Sequence, residues 1–343
     1  MNQPRLLNLP AGLLLESGAT LAPVQIAYHT FGTLNEARDN VVWVCHALTA
    51  NADVLSWWAG LFGADCYFDP ADWFVVCANI LGSCYGSTGP LTPAGPAAEP
   101  LYQQFPLVTI RDLVAAHEAL RLELGLTRIH TLIGGSLGGQ QALEWAILRP
   151  EVFANLVVLA TNAQHSPWGI AFNEAQRLAI FADTTYHEAT PTGGQRGLKA
   201  ARATALLSYR SYDAYGRTQA ETDPDRLDEF RASSYQQHQG DKLVARFNAY
   251  SYVALSRTMD THHLGRGRGS IAAALGQIRA RTLVLSISSD VLFPPAEQQL
   301  LARHISGATY AAMDSEFGHD GFLIETVQIT QFLEQFYVPS LVH

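Results

Sequence analysis

Ile129-His130-Thr131-Leu132-Ile133-Gly134-Gly135-Ser136-Leu137-Gly138-Gly139-Gln140-Gln141-Ala142-Leu143-Glu144-Trp145-Ala146 is the stretch on which the fold turns. Its opening, Ile129 to Gly134, is mostly apolar and β-branched and reads as a buried strand. The part from Gln140 reads as a helix. Between them stands Gly134-x-Ser136-x-Gly138. A serine on a tight strand-to-helix turn projects its hydroxyl above the sheet, and glycines two residues to either side let neighbouring backbone approach without a Cβ clash. The helix beyond adds a positive dipole end beside a developing oxyanion. The bland alternative is a Gly-rich turn carrying an inert serine. The flanking strand and helix favour Ser136 as a nucleophile.

Outward from this turn, similar apolar runs recur at Val41–Cys45, Trp73–Asn79, Leu156–Ala160 and Leu283–Ile287, with a weaker one at Thr309–Met313. Helical patterns separate them. Thr109-Ile110-Arg111-Asp112 resembles a capping box and opens a stretch whose Leu113, Ala116, Leu120 and Leu124 share a face before Gly125 ends it. Alternating strands and helices predict a mostly parallel sheet covered on both faces. With the serine turn, that predicts the α/β-hydrolase fold. Residues 166–263 break the rhythm with helical patterns and no buried strand. They read as a helical lid inserted into a core of residues 1–165 and 264–343. Such a lid would shape a pocket over the strand C-termini.

Composition narrows the function. Hydrophobic residues make up 48% of 343 and charged residues 15%, an ordinary globular balance. Twenty-two basic against 31 acidic side chains leave a net charge of −9, which argues against a nucleic-acid partner. Lys199 and Lys242 are the only lysines, so an anionic substrate must be met mainly by arginine. No apolar run reaches membrane-spanning length. The cysteines Cys45, Cys66, Cys77 and Cys84 form no CxxC pair, and a reducing, cytoplasmic setting is expected.

A serine hydroxyl needs a base oriented by an acid, and in this fold the chain order is Ser, acid, His. Thr282-Leu283-Val284-Leu285-Ser286-Ile287 runs into Ser288-Ser289-Asp290, which places Asp290 at a late strand end. Asp314 is the competitor. His319, flanked by glycines in Gly318-His319-Asp320-Gly321, follows the last strand and is the expected base. The loop His46-Ala47-Leu48-Thr49 follows an early strand, so the backbone amides of Leu48 and Leu137 are the expected oxyanion donors. His46 reads as a brace for that loop. A metal site at Asp260 with His262-His263 is a weak reading, because adjacent histidines do not easily face one ion; no metal is expected.

Five stretches in order resemble the homoserine O-acetyltransferase family: Tyr28–Asn35, Val44–Thr49, Gly86–Pro90, Gly134–Trp145 and Phe317–Leu323. The resemblance implies a ping-pong reaction in which acetyl-CoA acylates Ser136, CoA leaves as a thiol, and the hydroxyl of L-homoserine attacks the acyl-serine. The product would be O-acetyl-L-homoserine for methionine biosynthesis, with acetyl-CoA as co-substrate and no permanently bound cofactor. By position, Arg202 matches the residue that pairs with the homoserine carboxylate, and Asp320 matches the acid that holds the amino group. Tyr209 lies two helical turns beyond Arg202, on the same face. Without the resemblance, Arg202 would read as a solvated lid residue and Tyr209 as core packing. Tyr85 stands where the family often carries a basic residue. Nothing in the sequence marks a group for the CoA diphosphate or an extra cation for a succinyl carboxylate. The alternatives are succinyl transfer, a serine acceptor, and a carboxylesterase using the same triad. The resemblance also implies a homodimer through the lid helices.

Overall fold

The structure is a computed structural model that describes residues 3–93 and 99–338. The outer limits expected for the core, residues 1 and 343, lie outside the described residues. The chain opens with strands β1 (Arg5–Leu9), β2 (Leu13–Leu14), β3 (Thr20–Leu21), β4 (Val24–Phe31) and β5 (Val41–Cys45). Then come α1 (Val54–Trp57), β6 (Phe74–Ala78), α2 (Ile110–Glu123), β7 (Ile129–Gly135), α3 (Leu137–Leu148) and β8 (Phe153–Leu159). Residues expected as the lid carry α4 (Pro167–Ala182), α5 (Gln195–Tyr209), α6 (Tyr212–Gln219), α7 (Arg231–Val244) and α8 (Ala249–Asp260). The chain closes with α9 (Ile271–Leu275), β9 (Arg281–Ile287), α10 (Pro295–His304), β10 (Thr309–Met313), α11 (Gly321–Ile324) and α12 (Thr326–Tyr337).

Eight strands form one sheet in the order β1-β4-β6-β5-β7-β8-β9-β10. From β6 to β10 every pairing is parallel; β1 and β4 run antiparallel at one edge. The apolar runs read from sequence all lie on strands of this sheet. The antiparallel edge was not read. Its outer strand β1 buries little and alternates weakly, which explains the weak signal.

Alternation along each strand feeds two cores. On β5, Val41, Trp43 and Cys45 join the cluster under α2 and α3, while Val42 and Val44 join the cluster under α12. All five are buried, and burying each such side chain contributes roughly 1.5–3 kcal/mol. Trp43 meets Trp145 edge-on at 4.9 Å, locking α3 against the sheet. The capping box at α2 forms: the Thr109 amide donates to Asp112 Oδ2 at 2.8 Å and the Asp112 amide to Thr109 Oγ1 at 3.4 Å.

The helical segment expected as a lid leaves and rejoins the sheet-bearing part of the chain at one place. His165 N donates to His262 O at 3.0 Å and Leu264 N to Ala163 O at 2.9 Å, closing a short antiparallel bridge at its base. Arg177 on α4 ties to Asp260 at the end of α8 at 2.7 Å. β5 lies between β6 and β7, so strand order reverses beside it. The Cys45–Gly134 register pair then sets the loops after β5 and β7 side by side, at the crevice where open α/β sheets bind ligands.

Candidate active site

The turn at Ser136 is held in a conformation that resists relaxation. Ser136 has φ 56° and ψ −126°, a left-handed backbone that costs about 1–3 kcal/mol for a residue with a Cβ. Three hydrogen bonds maintain it: Ser136 N to Leu159 O at 3.0 Å, Thr161 Oγ1 to Ser136 O at 2.8 Å and Gln140 N to Ser136 O at 3.1 Å. The helix starts at Leu137, three residues before the stretch that reads as helical, so Ser136 is its N-cap residue. The glycines are needed for space. A Cβ on Gly138 would lie 2.0 Å from Cys45 O, and one on Gly134 would lie 2.4 Å from Gly138 O.

Asp290 follows β9, and its side chain is fully buried. Its Oδ1 accepts the amides of Leu292 and Phe293 at 2.8 and 2.9 Å. Its Oδ2 lies 2.6 Å from His319 Nδ1. With Nδ1–H donating to the carboxylate, Nε2 keeps its lone pair, and among the described residues it has no hydrogen-bond partner. Phe293 stacks on the imidazole at 4.9 Å, while Phe322 meets its edge at 5.4 Å. These rings fix the imidazole plane. The competitor Asp314 instead accepts from Ser288 Oγ at 3.2 Å, away from the histidine.

Ser136 and His319 line one cavity of about 470 Å³ together with Leu48, Arg202, Tyr209 and Asp320. Leu137 directly follows the serine. Among the described residues, the amides of Leu48 and Leu137 donate to no acceptor. The Leu48 loop is braced from behind. Ile80 N donates to His46 Nε2 at 3.2 Å, His46 Nδ1 lies 2.8 Å from Ala47 O, and Gln141 Nε2 donates to His46 O at 3.2 Å. Burial pushes the His46 imidazole down to about 4, so it is neutral.

The Arg202 guanidinium lies 5.3 Å from the centroid of the Tyr209 ring, whose own centroid is 6.0 Å from His319. Burial raises the Tyr209 phenol above its ordinary range, opposed by Arg202. Asp320 is ion-paired: Arg210 Nε lies 2.8 Å from its Oδ2. The sequence did not mark Arg210, Phe293, Lys242 or Arg246. The last two also line the cavity. Arg246 donates to the Tyr85 hydroxyl at 2.6 Å, so a guanidinium from the lid stands beside the tyrosine found where the family often has a basic residue.

In the pair His262-His263 the first ring is already engaged. His262 Nε2 lies 2.9 Å from Asn162 O at the lid base, and burial lowers its pKa to about 3. Among the described residues no group of three or more His, Cys, Asp or Glu side chains is placed to hold a metal ion. No helix is long and apolar enough to cross a membrane.

A buried histidine–carboxylate pair beside a strained serine, on a sheet of this order, defines an α/β-hydrolase-fold protein, and the alpha/beta hydrolase fold family matches residues 40–326. A homoserine O-acetyltransferase of Cyclobacterium marinum is 47% identical over 328 residues, covering 96% of this chain and 93% of that protein. The chain belongs to the homoserine O-acetyltransferase family. Among solved structures, a homoserine O-acetyltransferase from Bacillus anthracis superposes with a TM-score of 0.90 over 98% of both chains, at 21% identity. An acetylester hydrolase from Corynebacterium glutamicum superposes with a TM-score of 0.86 at 24% identity, over 98% of this chain and 96% of that one. At these identities the likeness shows the shared fold, which therefore does not by itself choose between water and another acceptor.

Proposed function

We propose that this chain transfers an acetyl group from acetyl-CoA to the hydroxyl of L-homoserine through an acyl-Ser136 intermediate, as a step in methionine biosynthesis. His319 takes the Ser136 proton as the hydroxyl attacks the thioester carbonyl, and the oxyanion is met by the amides of Leu48 and Leu137. Collapse expels CoA as the thiol, protonated by His319. The homoserine hydroxyl then attacks the acyl-serine, with His319 again as base and Asp290 holding its orientation; collapse breaks the acyl–Ser136 bond, and His319 returns the proton to Ser136 Oγ. The protein's own residues carry both half-reactions, with acetyl-CoA as co-substrate.

The observation that carries an amino-acid acceptor over water is a cavity that gathers a cation and an anion with the nucleophile: Arg202 for a carboxylate and Asp320 for an ammonium. Tyr209 fills the space between Arg202 and His319. An esterase has no use for this pair. The test is a matrix of acetyl-CoA or succinyl-CoA against homoserine or serine, with thiol release measured and the Ser136 peptide weighed. Acetyl-Ser136 and homoserine-dependent release are expected; equal release without an acceptor would establish a hydrolase. The same proposal places the enzyme in the cytoplasm as a homodimer. Tyr212 and Leu227, each 92% exposed on the lid, supply apolar surface for the contact, and sedimentation at working concentration would reveal a monomer if that is wrong.

A further inference from the structure

The homoserine reading uses Arg202 but leaves two cations of the same cavity unexplained. Lys242 lies in the last turn of α7, and Arg246 follows four residues later, just past the helix end. Both are exposed. Among the described residues neither makes an ion pair, whereas the only other lysine, Lys199, is paired with Asp241 at 2.6 Å. In a chain of net charge −9, two unneutralised cations at a cavity mouth make a local positive field where an anion gains most. Arg246 is also held in place. Its Nη1 donates to the Tyr85 hydroxyl at 2.6 Å and to Thr49 O, which leaves part of its fork of donors to face an oxyanion.

A second cavity of about 320 Å³ shares Asn51 and Ser56 with the first and is walled by Tyr85 and His29. Asp53 also lines it, so it suits an uncharged heterocycle and sugar better than a phosphate. On the Ser136 side, Trp57, Phe322 and Leu323 offer an apolar wall to a flexible arm. A nucleophilic serine, an apolar wall and two cations in one cavity, with an adjoining chamber lined by Asp53, Tyr85 and His29, are the parts an acyl-CoA would use from thioester to adenosine.

We infer that Lys242 and Arg246 form the phosphate-binding site for the nucleotide end of the acyl-CoA donor. The inference rests on the acetyl-CoA reading of the donor. Phosphate oxygens bridge the ammonium of Lys242 and the guanidinium of Arg246, and the lid is thereby tied to the Thr49 loop that carries the oxyanion amide.

The test compares acetyl-CoA with S-acetylpantetheine, which carries the same thioester and arm but no phosphate. The first variant is Lys242→Gln, whose side chain is exposed and unpaired; the second adds Arg246→Gln. The KM for acetyl-CoA is expected to rise about fivefold in the single variant and tenfold or more in the double. The KM for S-acetylpantetheine should shift less than twofold, and added salt should weaken acetyl-CoA binding more in the wild type than in the double variant. An unchanged acetyl-CoA KM in the single and double variants would overturn the assignment. So would an equal rise for both donors, which would mark a lid defect. Absence of acetyl-Ser136 in the wild type with acetyl-CoA would fail the donor reading itself, and this inference with it.

Discussion

Asp320 is held by Arg210, whose Nε lies 2.8 Å from its Oδ2. Arg210 caps the C-terminus of α5, the helix that carries Arg202 and Tyr209, so the ion pair ties the anion of the site to the helix bearing its cation. The orientation of the carboxylate is thereby set by the protein's own side chains. Asp320→Asn is expected to raise the homoserine KM at least about tenfold, and Arg210→Gln about threefold. Steady-state kinetics with homoserine varied checks this; an unchanged KM in Asp320→Asn would remove the ammonium role.

Arg202→Ala should raise the homoserine KM about 10- to 100-fold, the range for losing a charge-assisted carboxylate contact. Acetylation of Ser136 should proceed at the wild-type rate, because the first half-reaction contains no carboxylate to hold. A rapid-mix thiol burst separates the two. If the burst falls in step with turnover, Arg202 serves the donor instead.

For Asp290→Asn, kcat should drop by about 10³–10⁴, since the amide favours the wrong tautomer of His319. The turn at Leu292 and Phe293 survives, because an amide oxygen can still accept their N–H groups. Circular dichroism should therefore remain native. A variant with more than a tenth of wild-type activity would shift the orienting role to another carboxylate.

Gly138→Ala tests the close approach of β5 and α3. The new methyl would sit 2.0 Å from Cys45 O, a backbone atom that cannot rotate away. Destabilisation of more than about 2 kcal/mol is expected. Urea unfolding with a wild-type midpoint would show that the elbow is softer than its packing implies.

Glu297 supplies a pH dependence. Burial raises its carboxyl to about 7, with Asn162 opposing and the charge of Asp290 adding to the rise. Between the unfolded value near 4.5 and about 7 the folded state holds the extra proton, so stability falls as pH rises through that window. Glu297→Gln should remove this slope. At pH 8 it should be the more stable form by about 1–2 kcal/mol, after allowing for solvent screening of a partly exposed carboxyl. Melting curves at pH 5 and 8 read it directly; parallel shifts at both would refute it.

Much of the catalytic geometry was legible because it is local. Strand, glycine, serine, glycine and helix are contiguous, and Asp290 and His319 each follow a short apolar strand by a few residues. The Thr109 capping box was legible for the same reason. The antiparallel pair β1 and β4 was not, because an edge strand that is half solvated carries little periodic signal. The helix start at Leu137 was misjudged, because Gly138 and Gly139 weaken helical propensity and only packing against Cys45 and Thr161 makes them helical.

Sequence alone therefore determined the strand ends at which Ser136, Asp290 and His319 stand, the strands that carry them and the family, because each depends on neighbours in the chain or on ordered motifs. Tertiary structure decided what surrounds the reacting serine. Whether Arg246 meets Tyr85, whether Lys242 opens onto the cavity and whether Arg210 takes Asp320 depends on how the lid folds back over the strand ends. Arg246 stands 161 positions from Tyr85, and charged side chains on amphipathic helices look the same in sequence whether they face solvent or a substrate.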